Sequence, residues 1–124
     1  QWDDHEVLNN WSPGKDLSPV EAYREKRIAL LAAYGTRAFL EYAPIRQSSE
    51  ETERIYRHIP YGPLLDVFVI DTRSYRASSS ANRQASLTAE SRIFGESQLE
   101  GLKARLAAST ATWKIVASDM PIGL

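Results

Sequence analysis

The first eleven residues contain the densest group of side chains that could perform chemistry. Between two tryptophans lie three carboxylates, one imidazole and two amides, in the order Trp2, Asp3, Asp4, His5, Glu6, Asn9, Asn10 and Trp11. Carboxylate oxygens and a neutral imidazole nitrogen are ligands that hard and borderline cations accept. Asp3 and Asp4 repel each other, and a bound cation would relieve that repulsion. The stretch is therefore a candidate metal site, and an Asn-rich turn whose side chains cap the backbone is the alternative.

The backbone conformation of this stretch decides which side chains can act together. In an extended strand, Asp3 and His5 would share one face, and Asp4 and Glu6 would share the other. In a sharp turn, Asp4 and His5 could both approach one point. The residues alone leave both conformations open.

Three stretches of the chain resemble one known family. Residues 2–7, Trp-Asp-Asp-His-Glu-Val, followed by Asn-Asn-Trp at 9–11, resemble the Asp-His signature of PhoD-like phosphatases and phosphodiesterases, which belong to the calcineurin-like metallophosphoesterases. Residues 65–76 resemble that family's strand ending in Asp-x-Arg-x-Tyr-Arg. Residues 95–119 resemble its glutamine-bearing helix and the following Ala-Thr-Trp-Lys strand. The resemblance covers nearly the whole chain, in the order that the family has.

The resemblance implies a hydrolase that uses metal ions to cleave phosphate monoesters or diesters. Asp4 takes the place of a metal-bridging residue, and Asp3 is a further candidate metal ligand or a support for His5. His5 would be catalytic, donating a proton or a hydrogen bond to the leaving oxygen, with Glu6 helping to orient it. The family suggests calcium and iron as the cofactors, with manganese or zinc as possibilities.

The family's other metal-ligand motifs lie upstream and downstream of the stretches that match, and neither occurs in these 124 residues. We therefore interpret residues 1–124 as an internal fragment of a single PhoD-like domain, which would be inactive in isolation. An enzyme completed by a second chain is one alternative. A non-catalytic interaction module with a coincidental acidic turn is another.

Composition restricts the remaining function classes. The chain is 43% hydrophobic and 25% charged, which is typical of a globular protein. Its net charge of −1 gives no indication of nucleic-acid binding. It contains no cysteine, which excludes thiolate metal ligands, and no apolar run of membrane-spanning length. These features leave the compartment unknown, although the resemblance suggests a secreted or periplasmic bacterial protein.

The pattern of apolar residues predicts a mixed α/β fold, which the resemblance makes part of an α/β/β/α sandwich. We expect helices near residues 19–43 and 96–108, and strands near 54–59, 64–71 and 112–118. Ser18, Pro19 and Glu21 have the spacing of a helix start with a capping box. Gly35, in the middle of the first helical pattern, could introduce a kink or a break. The turn at residues 60–63 predicts a hairpin between the first two strands.

Four further expectations concern positions outside the acidic turn. His58 is expected on an edge strand at solvent, and Asp71 is expected to form an ion pair with Arg73 or Arg76 at a strand end. Residues 77–92 are predicted to be a mobile surface loop. The apolar strand at 64–70 is expected to leave a sheet edge exposed, through which the chain could form a homo-oligomer.

Overall fold

Three short strands form a single mixed sheet. In the computed structural model, which describes residues 1–47, 54–81 and 83–121, the strands are β1 (Arg57–Tyr61), β2 (Leu65–Val69) and β3 (Trp113–Ala117). The sheet order is β1-β2-β3. β1 pairs with β2 in an antiparallel hairpin, and β2 pairs with β3 in parallel. The predicted hairpin is confirmed, with Gly62 at a φ of +67° in its turn, a conformation that glycine adopts without strain.

Two α-helices accompany the sheet within the described residues. They are α1 (Ile28–Tyr42) and α2 (Glu96–Ala108), and a short 3₁₀ helix spans Ala89–Ser91. The mixed α/β prediction is therefore confirmed, and α2 has the predicted bounds. Neither helix in the described ranges is long and apolar enough to cross a membrane.

The predicted start of the first helix is wrong. α1 begins at Ile28 rather than near residue 19, and no side chain caps it. The preceding residues form turns instead, because the Asp16 carboxylate accepts the Ser18 N–H at 2.8 Å and Lys26 donates to the Val20 carbonyl. Leu17 is buried there, so burial of this turn outweighs the local helix signal. Gly35 causes no break, since α1 continues through it.

The main apolar core lies between the N-terminal segment and α1. Its buried members are Trp2, Leu8, Trp11, Leu17, Ile28 and Ile55. Trp2 is 0% exposed, and its ring meets Trp11 and Phe39 edge-on at centroid distances of 6.1 and 5.1 Å. Aromatic burial on this scale holds the beginning of the chain in place.

The exposed sheet edges differ from those expected. β2 carries the apolar run at 64–70, but it is the central strand and has a partner on each side. The edges within the described residues are β1 and β3. Trp113 and Ile115 on β3 are 68% and 50% exposed. An apolar edge therefore exists, but it belongs to β3.

Candidate functional site

The acidic stretch folds as a sharp turn around Asp4. The Asp4 carbonyl accepts the N–H groups of Val7 and Leu8 at 3.0 and 2.9 Å, and its Oδ2 accepts the N–H of Asn10. Asn10 has a φ of 52°, which asparagine tolerates better than most residues. The turn conformation is thus the one adopted. Asp4 Oδ2 caps the backbone of this turn, which is the role that we considered as the alternative to a metal site. Asp4 Oδ1 does not take part in that capping.

Helix α1 packs against this turn at Gly35. A Cβ atom on Gly35 would lie 2.7 Å from the Glu6 carbonyl oxygen and 3.1 Å from Val7 Cγ2. The absence of a side chain at Gly35 therefore lets the turn approach the helix backbone. Lys15 closes the far side of the turn by donating to the Asn9 carbonyl at 2.6 Å.

The Arg73 guanidinium contacts three carboxylates. Its Nη2 lies 3.3 Å from Asp3 Oδ1 and 3.8 Å from Asp4 Oδ1, and its Nε lies 3.3 Å from Asp119 Oδ2. Thr72 Oγ1 donates to the Asp119 carboxylate, with distances of 2.7 and 2.8 Å to its two oxygens. The cluster unites the acidic turn with the carboxyl ends of β2 and β3, which meet at one sheet edge because these strands are parallel.

The prediction that Asp71 forms an ion pair with Arg73 or Arg76 is wrong. The Asp71 Oδ1 atom instead accepts the backbone N–H groups of Arg73 and Ser74, both at 2.9 Å. These two hydrogen bonds stabilise a tight turn after β2. The Arg73 side chain contacts the acidic cluster instead of the Asp71 carboxylate. Asp71 is 0% exposed, and burial raises the pKa of its carboxyl.

The two adjacent carboxylates of the turn have different electrostatic environments. Burial raises the pKa of Asp3, and the neighbouring carboxylates of Asp119 and Asp4 add to that rise. Burial would also raise the pKa of Asp4, but the Asn10 N–H and the Arg73 guanidinium outweigh it and lower that pKa. Asp4 is therefore held as a carboxylate, and Asp3 accepts a proton more readily.

Comparison with known proteins decides the family. The family model described as PhoD-like phosphatase matches residues 1–124. The chain belongs to the PhoD-like phosphatase family. Alkaline phosphatase D of Bacillus subtilis (strain 168) is 38% identical over 133 residues, covering 96% of this chain and 21% of that protein. A solved structure titled "Structure of PhoD" is 30% identical with a TM-score of 0.70, covering 95% of this chain and 24% of that one. The chain thus spans less than a quarter of the length of each of these relatives.

The His5 side chain of this PhoD-like chain extends from the acidic turn into solvent. Its side chain is 74% exposed, and Nε2 lies 3.8 Å from Asp4 Oδ1. Glu6, which we expected to orient His5, instead accepts the Asp3 backbone N–H at 2.7 Å. The His5 ring is therefore free to meet a ligand that approaches from solvent.

The donor set partly fits the metal ions that the PhoD-like family implies. Arg73 Nη2 and His5 Nε2 each lie 3.8 Å from Asp4 Oδ1, which is beyond hydrogen-bonding distance, so this carboxylate oxygen is a candidate donor to a hard cation. No group of three or more His, Cys, Asp or Glu side chains with metal-binding geometry occurs within the described ranges. Asp4 Oδ1 could therefore supply one bond to a metal ion, and additional ligands would be required.

Sequence reasoning missed Arg73 and Asp119 as members of this cluster. Each follows a strand of the same parallel pair, and that placement was the available signal. His58, expected at solvent, is half-buried. It stacks on Phe68 at 4.6 Å, with Nε2 located 3.2 Å from Asp66 Oδ1, because a strand edge still has one face on the sheet.

Proposed function

We propose that this chain forms part of the active site of a metal-dependent phosphoesterase. Membership of the PhoD-like phosphatase family supports the reaction class, the hydrolysis of phosphate monoesters or diesters. The observation that carries the proposal is the convergence of Asp3, Asp4 and Asp119 on Arg73, at the ends of two parallel strands. The turn that brings Asp4 there also presents His5 to solvent.

Asp4 is the proposed metal ligand, with Asp3 as a second candidate. Carboxylate oxygens suit calcium and ferric iron, and manganese or zinc are alternatives. When bound, such ions supply a hydroxide at neutral pH and neutralise the charge on the phosphoryl oxygens. A ligand carboxyl must be ionised to bind a cation, and Asp4 meets that condition, since, despite its burial, the Asn10 N–H and the Arg73 guanidinium keep its pKa below the ordinary value.

Arg73 holds the Asp3 and Asp4 side chains at the end of β2 and offsets their mutual repulsion. Two distances of 3.3 Å, from Asp3 and from Asp119, support this positioning role. His5 is the proposed donor to the leaving oxygen, because its exposed ring stands beside Asp4 and is not engaged elsewhere among the described residues.

The test is a chimera in which residues 1–124 replace the matched segment of Bacillus subtilis alkaline phosphatase D. The chimera should hydrolyse a chromogenic phosphate monoester or diester, and Asp4→Ala should abolish that hydrolysis. Glu21→Ala, at an exposed glutamate outside the acidic cluster, is the control and should retain it. A folded chimera that hydrolyses the ester equally well with Asp4→Ala would contradict the proposal.

The isolated chain should behave differently from the chimera, because it offers too few ligands. Titration with calcium, manganese or ferric iron should reveal no site tighter than about millimolar, the weak end for oxygen-ligand sites. Hydrolysis should equal that of buffer alone. A micromolar site that vanishes in Asp4→Ala would instead favour an enzyme completed by a second copy.

A further inference from the structure

A cleft of about 600 Å³ opens beside the acidic cluster. It lies between the described residues of the 77–92 loop and Met120 and Pro121, which follow β3, and Arg76 and Arg92 are also among its lining residues. Its size falls within the range of about 300–1,000 Å³ that is usual for small-molecule sites. Arg76 is three residues from Arg73, and Met120 directly follows Asp119, so the cleft adjoins the candidate active site.

Arg76 lines this cleft with a positive charge that forms no ion pair within the described residues, although the Asp119 and Asp4 carboxylates act on it from a longer distance. The one hydrogen bond of its guanidinium among the described residues is from Nη1 to the weak acceptor Met120 Sδ, at 3.8 Å. Its Nε is buried and has no hydrogen-bond partner in the described part of the chain. Burial and the nearby Arg73 charge lower the pKa of Arg76, and the Asp119 and Asp4 carboxylates offset part of that decrease, so the guanidinium remains protonated. A partly buried cation in this state would be stabilised by an anion in the cleft.

Hydrogen bonds link residues in the rest of the cleft wall, which also carries one further cation. Gln84 donates to Ser80 Oγ at 2.7 Å and accepts from Ser91, which ties the two sides of the loop together. The Ala77 N–H donates to the Arg92 carbonyl at 2.8 Å, which joins the loop ends. Arg92 lines the cleft with no carboxylate within ion-pairing distance in the described ranges. Glu90 lines it too, so the formal charge of the lining side chains is +1.

We propose that this cleft is a subsite for a phosphate-sized oxyanion, separate from the phosphoryl group that undergoes hydrolysis. Arg76 and Arg92 would bind its oxygens, and the hydroxyl of Ser78 would add a donor at the rim. The anion could be a second phosphate group on the ester substrate or free inorganic phosphate. The link to the substrate rests on the proposed phosphoesterase function, whereas the anion site itself does not.

The test is an NMR titration of the isolated chain with inorganic phosphate, with an alkyl bisphosphate and with neutral glycerol. Both anions should shift the backbone resonances of Arg76, Ser78 and Arg92, and glycerol should not. Arg76→Gln should weaken the anion affinity by about tenfold to a hundredfold, the usual effect of losing a charged hydrogen bond. Arg83→Gln, an exposed arginine of the same loop outside the cleft lining, is the matched control and should bind as the parent does.

The two anions distinguish the source of the ligand. Tighter binding of the bisphosphate, dependent on Arg76, would assign the cleft to a second phosphate of the substrate, and equal affinities would assign it to free phosphate. If Arg76→Gln does not fold, Arg92→Gln tests the same cleft from its exposed rim. Absence of shifts at the cleft, or equal losses in the cleft variants and Arg83→Gln, would overturn the proposal. Because the readout is binding, failure of the proposed hydrolysis would leave this result unaffected.

Discussion

Gln98 and the backbone of Asp71 form a closed pair of buried hydrogen bonds between α2 and the end of β2. Gln98 Oε1 accepts the Asp71 N–H and Gln98 Nε2 donates to the Asp71 carbonyl, both at 2.8 Å. A glutamine amide matches a peptide group because each presents one donor and one acceptor. The pair fixes the backbone just before Arg73, so it sets where the acidic cluster forms.

Gln98→Leu should therefore destabilise the protein. It would leave a buried N–H and a buried carbonyl without partners, at a cost of about 1–3 kcal/mol for each group. Urea unfolding should show a free energy of unfolding lower by at least about 2 kcal/mol. Gln47→Leu, at an exposed glutamine, is the matched control and should change little. Equal effects of the two substitutions would show that the hydrogen-bonded pair has no special importance.

Gly35→Ala should destabilise the protein although alanine favours helices. In an unconstrained helix the change would gain up to about 1 kcal/mol. At Gly35 the new Cβ would lie 2.7 Å from the Glu6 carbonyl oxygen, which would force the acidic turn away from α1. The control is Gly101→Ala on α2, where the nearest atom is the flexible end of Arg105 at 3.0 Å. Urea unfolding should show opposite signs for the two, and a stabilising Gly35→Ala would contradict the packing described here.

Much of the fold could be predicted from local pattern. The α2 stripe of leucines, the hairpin turn and the alternation around Trp113 each depend on residues adjacent in sequence, and each prediction is confirmed. The predicted start of α1 was wrong because burial of Leu17 and a hydrogen bond from Lys26 depend on tertiary contacts. Such contacts override a capping signal worth about 1 kcal/mol.

Only part of the candidate site could be predicted from the sequence. The types of residue in the acidic turn identified Asp4 and His5 as candidates, and the choice between turn and strand stayed open. The meeting of Arg73 with Asp3 joins positions 70 residues apart. Arg73 also meets Asp119, and that contact depends on the parallel pairing of β2 with β3, which no local pattern specifies. Predictions that place metal at Asp4 and Asp3, and mobility at residues 77–92, stay predictions.

The hydrogen bond between Ser109 and Asp66 should make stability depend on acidity. Ser109 Oγ donates to Asp66 Oδ2 at 2.6 Å, which, with smaller effects from His58 and Lys114, lowers the pKa of Asp66. Because this pKa is lower in the folded state, the stabilisation is present above the unfolded pKa and is lost as pH falls through the folded one. Ser109→Ala should raise the pKa of Asp66 in an NMR titration, and Ser97→Ala should not. An unchanged pKa in Ser109→Ala would contradict this assignment.

The exposed edge of β3 should promote self-association. Unpaired backbone groups beside the apolar side chains of Trp113 and Ile115 offer a template for another strand. Sedimentation velocity should show oligomers that grow with concentration, and Ile115→Lys should reduce them. Tyr42→Lys, at an exposed aromatic residue of α1, is the matched control and should not. A monomer at every concentration would contradict the prediction.

Substitutions of Asp4 and His5 should have different effects on metal content in the alkaline phosphatase D chimera. Asp4→Ala should lower the bound metal content, because a ligand is lost, and activity should fall with it. His5→Ala should retain the metal, since the ring is exposed and is proposed to act on the leaving group. Elemental analysis of both purified variants checks this distinction. Equal metal content in both variants would remove Asp4 from the proposed ligand set.

The measurement that tests the central claim most directly compares the two histidines of the chain in that chimera. His5→Ala should lower kcat for the chromogenic ester by about 10²–10⁴-fold, the usual contribution of a positioned proton donor. His58→Gln should leave kcat within a fewfold of the parent, because His58 pairs with Asp66 away from the acidic turn. Equal effects of the two substitutions, or an unchanged kcat in His5→Ala, would contradict the assignment of this turn to the active site.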